Sequence, residues 1–194
     1  MKTQRLSLFG LAAGPFYLAL GLGHALLRPG FDLAHQPLSL LSVGEWGWVQ
    51  ITNFMVTGVL VLLTARGWSA GLAGGKGRSV PWLLGLYGVA LILSGIFVAD
   101  PANATSSLLH FACGAAGFFA LAAACVVMAI RFFAQGSRGR GLFSWATAIL
   151  FLASFFALAA GGGASWTLLG FWLGLGLTWV WIAVVSLRLG SVRV

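Results

Sequence analysis

The sequence predicts an all-α polytopic membrane protein: a six-transmembrane-helix bundle with a short re-entrant or interfacial helix on its outer face. Three observations carry this expectation. Charged residues are only 7% of the 194 positions and hydrophobic residues are 60%, whereas a soluble domain carries about 25% charge. Six apolar stretches, at roughly 7–27, 48–65, 80–98, 107–130, 142–161 and 166–187, have about the length a bilayer core demands. None of them contains Lys, Arg, Asp or Glu. No stretch follows the two-residue alternation of a membrane β-barrel. Disorder is excluded by the same composition, because a disordered chain is polar and charged. At 20.3 kDa, six helices and short connections use nearly the whole chain, so residues 1–194 are expected to form a single transmembrane domain.

The first stretch follows Lys2 and Arg5, as in a signal peptide. Its apolar run is about 20 residues instead of 7–15, and Arg28-Pro29-Gly30 follows it where a cleavage site needs small residues. It is therefore read as a retained helix. The cations then set the orientation. Lys2, Arg5, Arg66, Lys76, Arg78, Arg131, Arg138, Arg140, Arg188 and Arg193 fall on one side of the six spans, and only Arg28 on the other. This bias predicts cytoplasmic N- and C-termini in a cell inner or plasma membrane. The formal net charge of +8 comes from scattered cations, not a basic patch, so the expected partner is the lipid bilayer and not nucleic acid. Asp32, Glu45, Asp100 and all three histidines lie on the outer side, an asymmetry the positive-inside rule does not explain.

Small residues are read as the packing code. Without a hydrophobic drive between helices in lipid, close backbone approach supplies the attraction. Gly10 and Gly14 form one GxxxG pair. Cys113, Gly117, Ala120 and Ala124 line a stripe of the fourth span, and Gly170, Gly174 and Gly176 are assigned the same duty in the sixth. Gly161, Gly162 and Gly163 are expected to form a tight outer turn. The two cysteines are twelve residues apart on one helix, about 18 Å along its axis, too far for a disulfide. Trp46, Trp48 and Trp166 are expected to form the outer half of an aromatic belt, with Trp68, Trp82 and Trp145 the inner half. Trp172, Trp179 and Trp181 lie deeper, as packing or lipid-facing residues. The glycine-rich segment 67–79 reads as a flexible cationic connection near anionic headgroups.

The outer loop 28–47 is the most informative segment, because it is long and mixed in polarity. Gln36 and Pro37 mark a helix start and Gly44 a stop, with Leu38, Leu40, Leu41 and Val43 apolar between them. Gln50, Asn53 and Thr57 then share one face of the second span. Their plain reading is interhelical hydrogen-bond glue. Tyr87 and Ser94 mark a similar face on the third span.

The run from Arg28-Pro29-Gly30-Phe31-Asp32 through Ser39, then Trp48-Val-Gln-Ile-Thr-Asn-Phe-Met-Val-Thr-Gly58, resembles a prokaryotic family of six-span membrane proteins known only as a domain of unknown function. Gly95-Ile-Phe-Val-Ala-Asp100-Pro101, followed by His110, resembles its second recurring segment. Val98 stands where that family often has Pro, and Pro101 follows the acid instead. The resemblance implies six helices and a membrane location, and it carries no activity and no site residue.

The candidate site is thus built from the residues alone. His24, Asp100 and His110 come from three helix ends at similar depth and are the candidate catalytic groups. Arg28, Asp32, Glu45, Gln50 and Asn53 are the candidate ligand contacts. Ionisable groups in membrane spans are functional candidates by default, though each here has a bland alternative. Asp100 suits a turn cap, Asp32 suits a pair with Arg28, Glu45 suits the start of the second helix, and His35 suits an exposed loop. Three functions fit. One is binding or processing of a lipid-like or other hydrophobic small molecule at the outer leaflet, with a histidine as acid/base, Asp100 as its orienter and Arg28 as headgroup clamp. The second is a metal or haem site using His24 and His110 with a carboxylate, although no HExxH or CxxCH motif is present. The third is a non-enzymatic subunit of a membrane complex whose polar cluster only braces the loop. No cofactor and no metal ligand set is assigned. Asn103-Ala104-Thr105 forms a glycosylation sequon that matters only in a glycosylating host.

Overall fold

The computed structural model describes residues 5–161 and 164–191. Lys2, Gly162, Gly163 and Arg193 lie outside the described residues. Six α-helices follow one another: α1 Phe9–Leu27, α2 Gly47–Gly71, α3 Val80–Ile96, α4 Ala104–Ala134, α5 Arg138–Ala160 and α6 Ser165–Ser191. A 3-10 turn, Leu6–Leu8, leads into α1, and a second 3-10 helix, Leu38–Ser42, lies in the α1–α2 loop. No strand occurs among the described residues. Five of the helices are long and apolar enough to cross a membrane. The sixth, α3, has 17 residues, about 25 Å at 1.5 Å per residue. Short connections join α3 to two long neighbours, and it is apolar throughout. Each helix packs on the next in sequence, and α6 closes the bundle against α1 and α2.

Backbone proximity does the work that the small residues imply. A methyl group at Gly58 would meet the Gly88 carbonyl at 2.6 Å, and one at Gly88 would meet the Gly58 carbonyl at 2.9 Å. The α2 and α3 backbones thus touch at a reciprocal glycine pair. On α1, Gly14 lies under Trp179, and Gly10 lies under Ser186 and Thr64. Gly117, Ala120 and Ala124 of α4 are buried, with Gly117 against Ala90 and Tyr87. Of Gly170, Gly174 and Gly176, only Gly174 is a close contact, against Phe151 and Ser154, while Gly170 and Gly176 have open space beside them. Cys125 is buried, Cys113 is half-buried, and both are free thiols.

Three expectations change. The second helix does not stop before Arg66. It continues to Gly71, so Arg66 and Trp68 are helical. A cation on the exposed face of a helix leaving the bilayer reaches water by its own length and need not end the helix. Trp68 is not part of the belt: it is 0% exposed, meets Trp181 edge-on at 5.6 Å and donates its Nε1–H to Ser186 Oγ at 3.1 Å. The other five belt tryptophans are exposed. The glycine-rich connection begins after Gly71, and Arg131 holds it to α4 by donating to the carbonyls of Lys76 at 2.7 Å and Gly74 at 3.2 Å. Trp179 and Trp181 are buried packing residues.

Candidate functional site

The end of the bundle opposite the termini gathers the outer loop, the end of α1, the start of α2 and the α3–α4 connection. Pro37 caps the 3-10 helix Leu38–Ser42 and Val43 ends it. Gly44 then turns the chain with φ +89°, a conformation that side chains other than glycine's rarely tolerate. Leu38 and Leu41 are buried, which seats the short helix as a lid on α1 and α2. Arg28 fastens it: Nη1 donates to the carbonyls of Val43 at 2.9 Å, Leu41 at 3.3 Å and Leu40 at 3.5 Å. A guanidinium suits the unpaired carbonyls at a helix C-terminus by charge and by hydrogen bonding.

The lid therefore takes Arg28 away from Asp32. The Asp32 carboxylate instead accepts from His35 Nδ1 at 2.7 Å and from the Ala34 amide at 2.8 Å. The His35 bond, and secondly the Ala34 amide, pull its pKa below the ordinary 3.8. Both side chains are 57% exposed, so the pair shapes the loop surface. Glu45 is exposed and gives the start of α2 no side-chain cap.

Beneath the lid lies a polar seam. Asn53 Nδ2 donates to the Tyr17 carbonyl at 3.0 Å and to Gln50 Oε1 at 3.2 Å, and Thr57 Oγ1 donates to Asn53 Oδ1 at 3.3 Å. All three α2 side chains are fully buried. They act as the expected glue, holding α2 to α1 where Gly21 leaves room for Asn53, Gln50 and Leu38. Tyr17, Gly21 and His24 recur at i, i+4 and i+7, so His24 continues the face of α1 that meets α2. Ser42 packs on Gly47, one turn before Gln50. Three groups of this seam stay unpartnered: both ring nitrogens of His24, Ser42 Oγ and Gln50 Nε2. His24 is 9% exposed, Ser42 6% and Gln50 0%. His24 and Gln50 stand out in the sequence as polar groups in apolar helices. Ser42 does not, since its one signal is a polar position three residues after Ser39.

Asp100 and His110 are placed differently. Asp100 Oδ1 accepts from the Ala102 amide at 2.9 Å, forming the turn that leads to Asn103, whose side chain caps α4 through the Ser106 amide at 3.0 Å. His110 Nδ1 lies 2.8 Å from the Phe97 carbonyl and 3.0 Å from that of Ser94. It serves the last carbonyls of α3. Its ring also meets Phe54 edge-on at 5.7 Å, and Phe54 in turn packs on Tyr17. No hydrogen bond joins His24 to Asp100 or His110. The metal reading drew on a carboxylate added to two histidines, and no group of three His, Cys, Asp or Glu comes together among the described residues. A cleft of about 310 Å³ opens at the loop surface between Arg28, Gln36, Leu40, Val43 and Pro101. It brings the lid clamp beside the Asp100 turn.

A family model described as "Protein of unknown function (DUF998)" matches residues 11–188. The chain belongs to this family. The match takes in the lid, its Arg28 clamp, the polar seam and the α3–α4 turn together. No curated protein and no solved structure matches the chain.

Proposed function

We propose that this membrane protein binds an amphipathic, lipid-like small molecule at the end of the bundle opposite its termini, with the termini in the cytoplasm and the binding end facing outward. The observation that carries the reading is the set of unpartnered polar atoms beneath the lid: His24 Nδ1 and Nε2, Ser42 Oγ and Gln50 Nε2. Leaving buried polar groups unpaired costs about 1–3 kcal/mol each, and the large majority of buried side-chain polar atoms in folded proteins have partners. Three such side chains, on the lid and on the α1 and α2 segments it covers, fit a site whose hydrogen bonds are completed by what it binds. Arg28 stands at the mouth. Its Nη1 holds the lid, which leaves Nε and Nη2 for an anionic or carbonyl headgroup. The buried Leu38 and Leu41 side chains on the inner side of the lid would give the apolar part of such a molecule its contact. His24 is the group placed to exchange a proton with it, and Asn53 sets the height of Gln50.

The test is mass spectrometry of small molecules that co-purify with the full chain, compared with His24→Leu and Gln50→Leu. One or a few species enriched over the bulk lipid extract, and lost from both variants, is the expected result. A wild-type profile equal to the bulk extract overturns the reading, as does enrichment that both folded variants retain.

A further inference from the structure

A second recess lies at the opposite end, where α2 leaves the apolar layer and α3 enters it. It has a volume of about 330 Å³ and is lined by Arg66, Ser69, Leu72, Arg78, Trp82 and Gly85, among others. Its chemistry is divided. At the rim, Arg66 and Arg78 are exposed, and Arg66 is steadied by donating to Ser69 Oγ at 3.3 Å. The three carboxylates of the chain, Asp32, Glu45 and Asp100, all belong to the far end, so no acid side chain reaches either arginine. The start of α3 adds to the positive character, because Ser79 gives its first turn no side-chain cap and a helix N-terminus carries partial positive charge.

Toward the apolar layer the recess becomes a slot. Trp82 is 82% exposed, and Gly85 stands one turn deeper on α3. A methyl group built at Gly85 meets nothing within 4 Å, unlike at Gly58 and Gly88. Gly85 is therefore not a packing glycine. Its missing side chain leaves open space in the recess that Trp82, Arg66 and Arg78 also line.

We infer that this recess is a binding site for an anionic phospholipid in the leaflet on the side of the termini, with the phosphate between Arg66 and Arg78 and one acyl chain over Gly85 against Trp82. Charge complementarity chooses the headgroup: two arginines without carboxylate partners match a phosphate diester, and guanidinium binds phosphate oxygens in a bidentate manner. The apolar slot chooses a lipid over free phosphate, because it gives inorganic phosphate nothing to contact. The site is independent of the one beneath the lid.

Native mass spectrometry of the full chain, with phosphatidylglycerol or phosphatidylcholine supplied in mixed micelles, tests the assignment. One phosphatidylglycerol is expected to stay bound under activation that strips phosphatidylcholine. Arg66→Gln with Arg78→Gln should lower its retention about thirtyfold, given roughly 1 kcal/mol for each cation near a headgroup. Gly85→Leu changes no charge and should lower retention to a similar extent. Arg138→Gln with Arg140→Gln, at the same end but outside the recess, should leave it unchanged. Equal losses from the two arginine pairs would show general surface attraction and overturn the site. Full retention by Gly85→Leu overturns it as well, and competition by inorganic phosphate alone would make it a phosphate site.

Discussion

The imidazole of His110 reaches back from the first turns of α4 to the carbonyl of Phe97, 2.8 Å from Nδ1. The same α4 turns supply Ser106, which donates to the Val98 carbonyl, and Ser107, which donates to that of Asp100. Side chains of one helix thus satisfy the carbonyls left open by the end of another. In lipid or at its edge such groups have few other partners.

This arrangement fixes the His110 tautomer. A carbonyl only accepts, so the neutral ring must carry its proton on Nδ1 and leave the lone pair on Nε2. Imidazole nitrogen chemical shifts are expected to show the Nδ1–H form. His110→Phe should keep the contact with Phe54 but open the end of α3, lowering stability by about 1–2 kcal/mol. A lower thermal midpoint in detergent checks it, and an unchanged midpoint would deny the bond any structural weight.

Arg28 should control the lid. In Arg28→Ala the carbonyls of Leu41 and Val43 lose their donor and that of Leu40 keeps only the Val43 amide, so hydrogen exchange over residues 38–47 should speed up while α4 to α6 stay protected. Arg28→Lys keeps the charge without the planar fork and is expected to fall between the two. Exchange mass spectrometry distinguishes a local effect from general loosening.

The unpartnered groups reverse the usual sign of a core mutation. His24→Leu and Gln50→Leu each remove a buried polar atom without a partner, so each should leave the ligand-free protein as stable or more stable, by up to about 1–3 kcal/mol. Asn53→Leu removes a group with partners on both sides and should destabilise. Thermal midpoints in ligand-free detergent decide it: a marked loss in His24→Leu would make that ring structural.

Glycines should sort by what faces them. Gly58→Ala and Gly88→Ala push a methyl group into a neighbouring backbone, an overpacking that costs about 1–3 kcal/mol. Gly85→Ala and Gly114→Ala meet open space and should be neutral or slightly stabilising, through helix propensity. Parallel melts of the four variants provide the comparison.

The Asp32–His35 pair gives a pH signature. Because the Asp32 pKa is lowered in the folded loop, its contribution is present above the ordinary value of 3.8. It is lost as the pH falls through the lower folded value. A carboxyl titration by NMR should show a midpoint below 3.8, moving up toward 3.8 in His35→Ala. A wild-type midpoint at or above 3.8 would mean the pair does not form in solution.

Much of this fold is readable in advance, because bilayer length and a near absence of charge define a span independently of packing. Its interior is less so. Trp68 and Trp82 look alike in sequence, yet one is buried against Trp181 and the other is exposed, since lipid and protein core select the same apolar residues. The sequence puts the end of α2 before Arg66 and the structure puts it at Gly71 for a related reason, as charge marks the edge of the apolar layer and not the end of hydrogen bonding. In the loop, sequence nearness suggested an Arg28–Asp32 pair. The lid carbonyls, distant in sequence, hold the guanidinium instead. Ser42 could not be told from Ser39 without knowing which side of a five-residue helix the bundle would cover.

The brevity of α3 also has a consequence for the membrane itself. At 17 residues between helices of 25 and 31, it is some 5 Å short of the ~30 Å hydrocarbon layer. Where so short a helix spans, the bilayer beside it thins to match, at a cost of a fraction of a kcal/mol per Å. The protein therefore has a thick flank and a thin one, and its thin flank borders the Arg66–Arg78 recess. Such a molecule is expected to favour thinner bilayers, with the headgroups beside α3 drawn down toward the arginines.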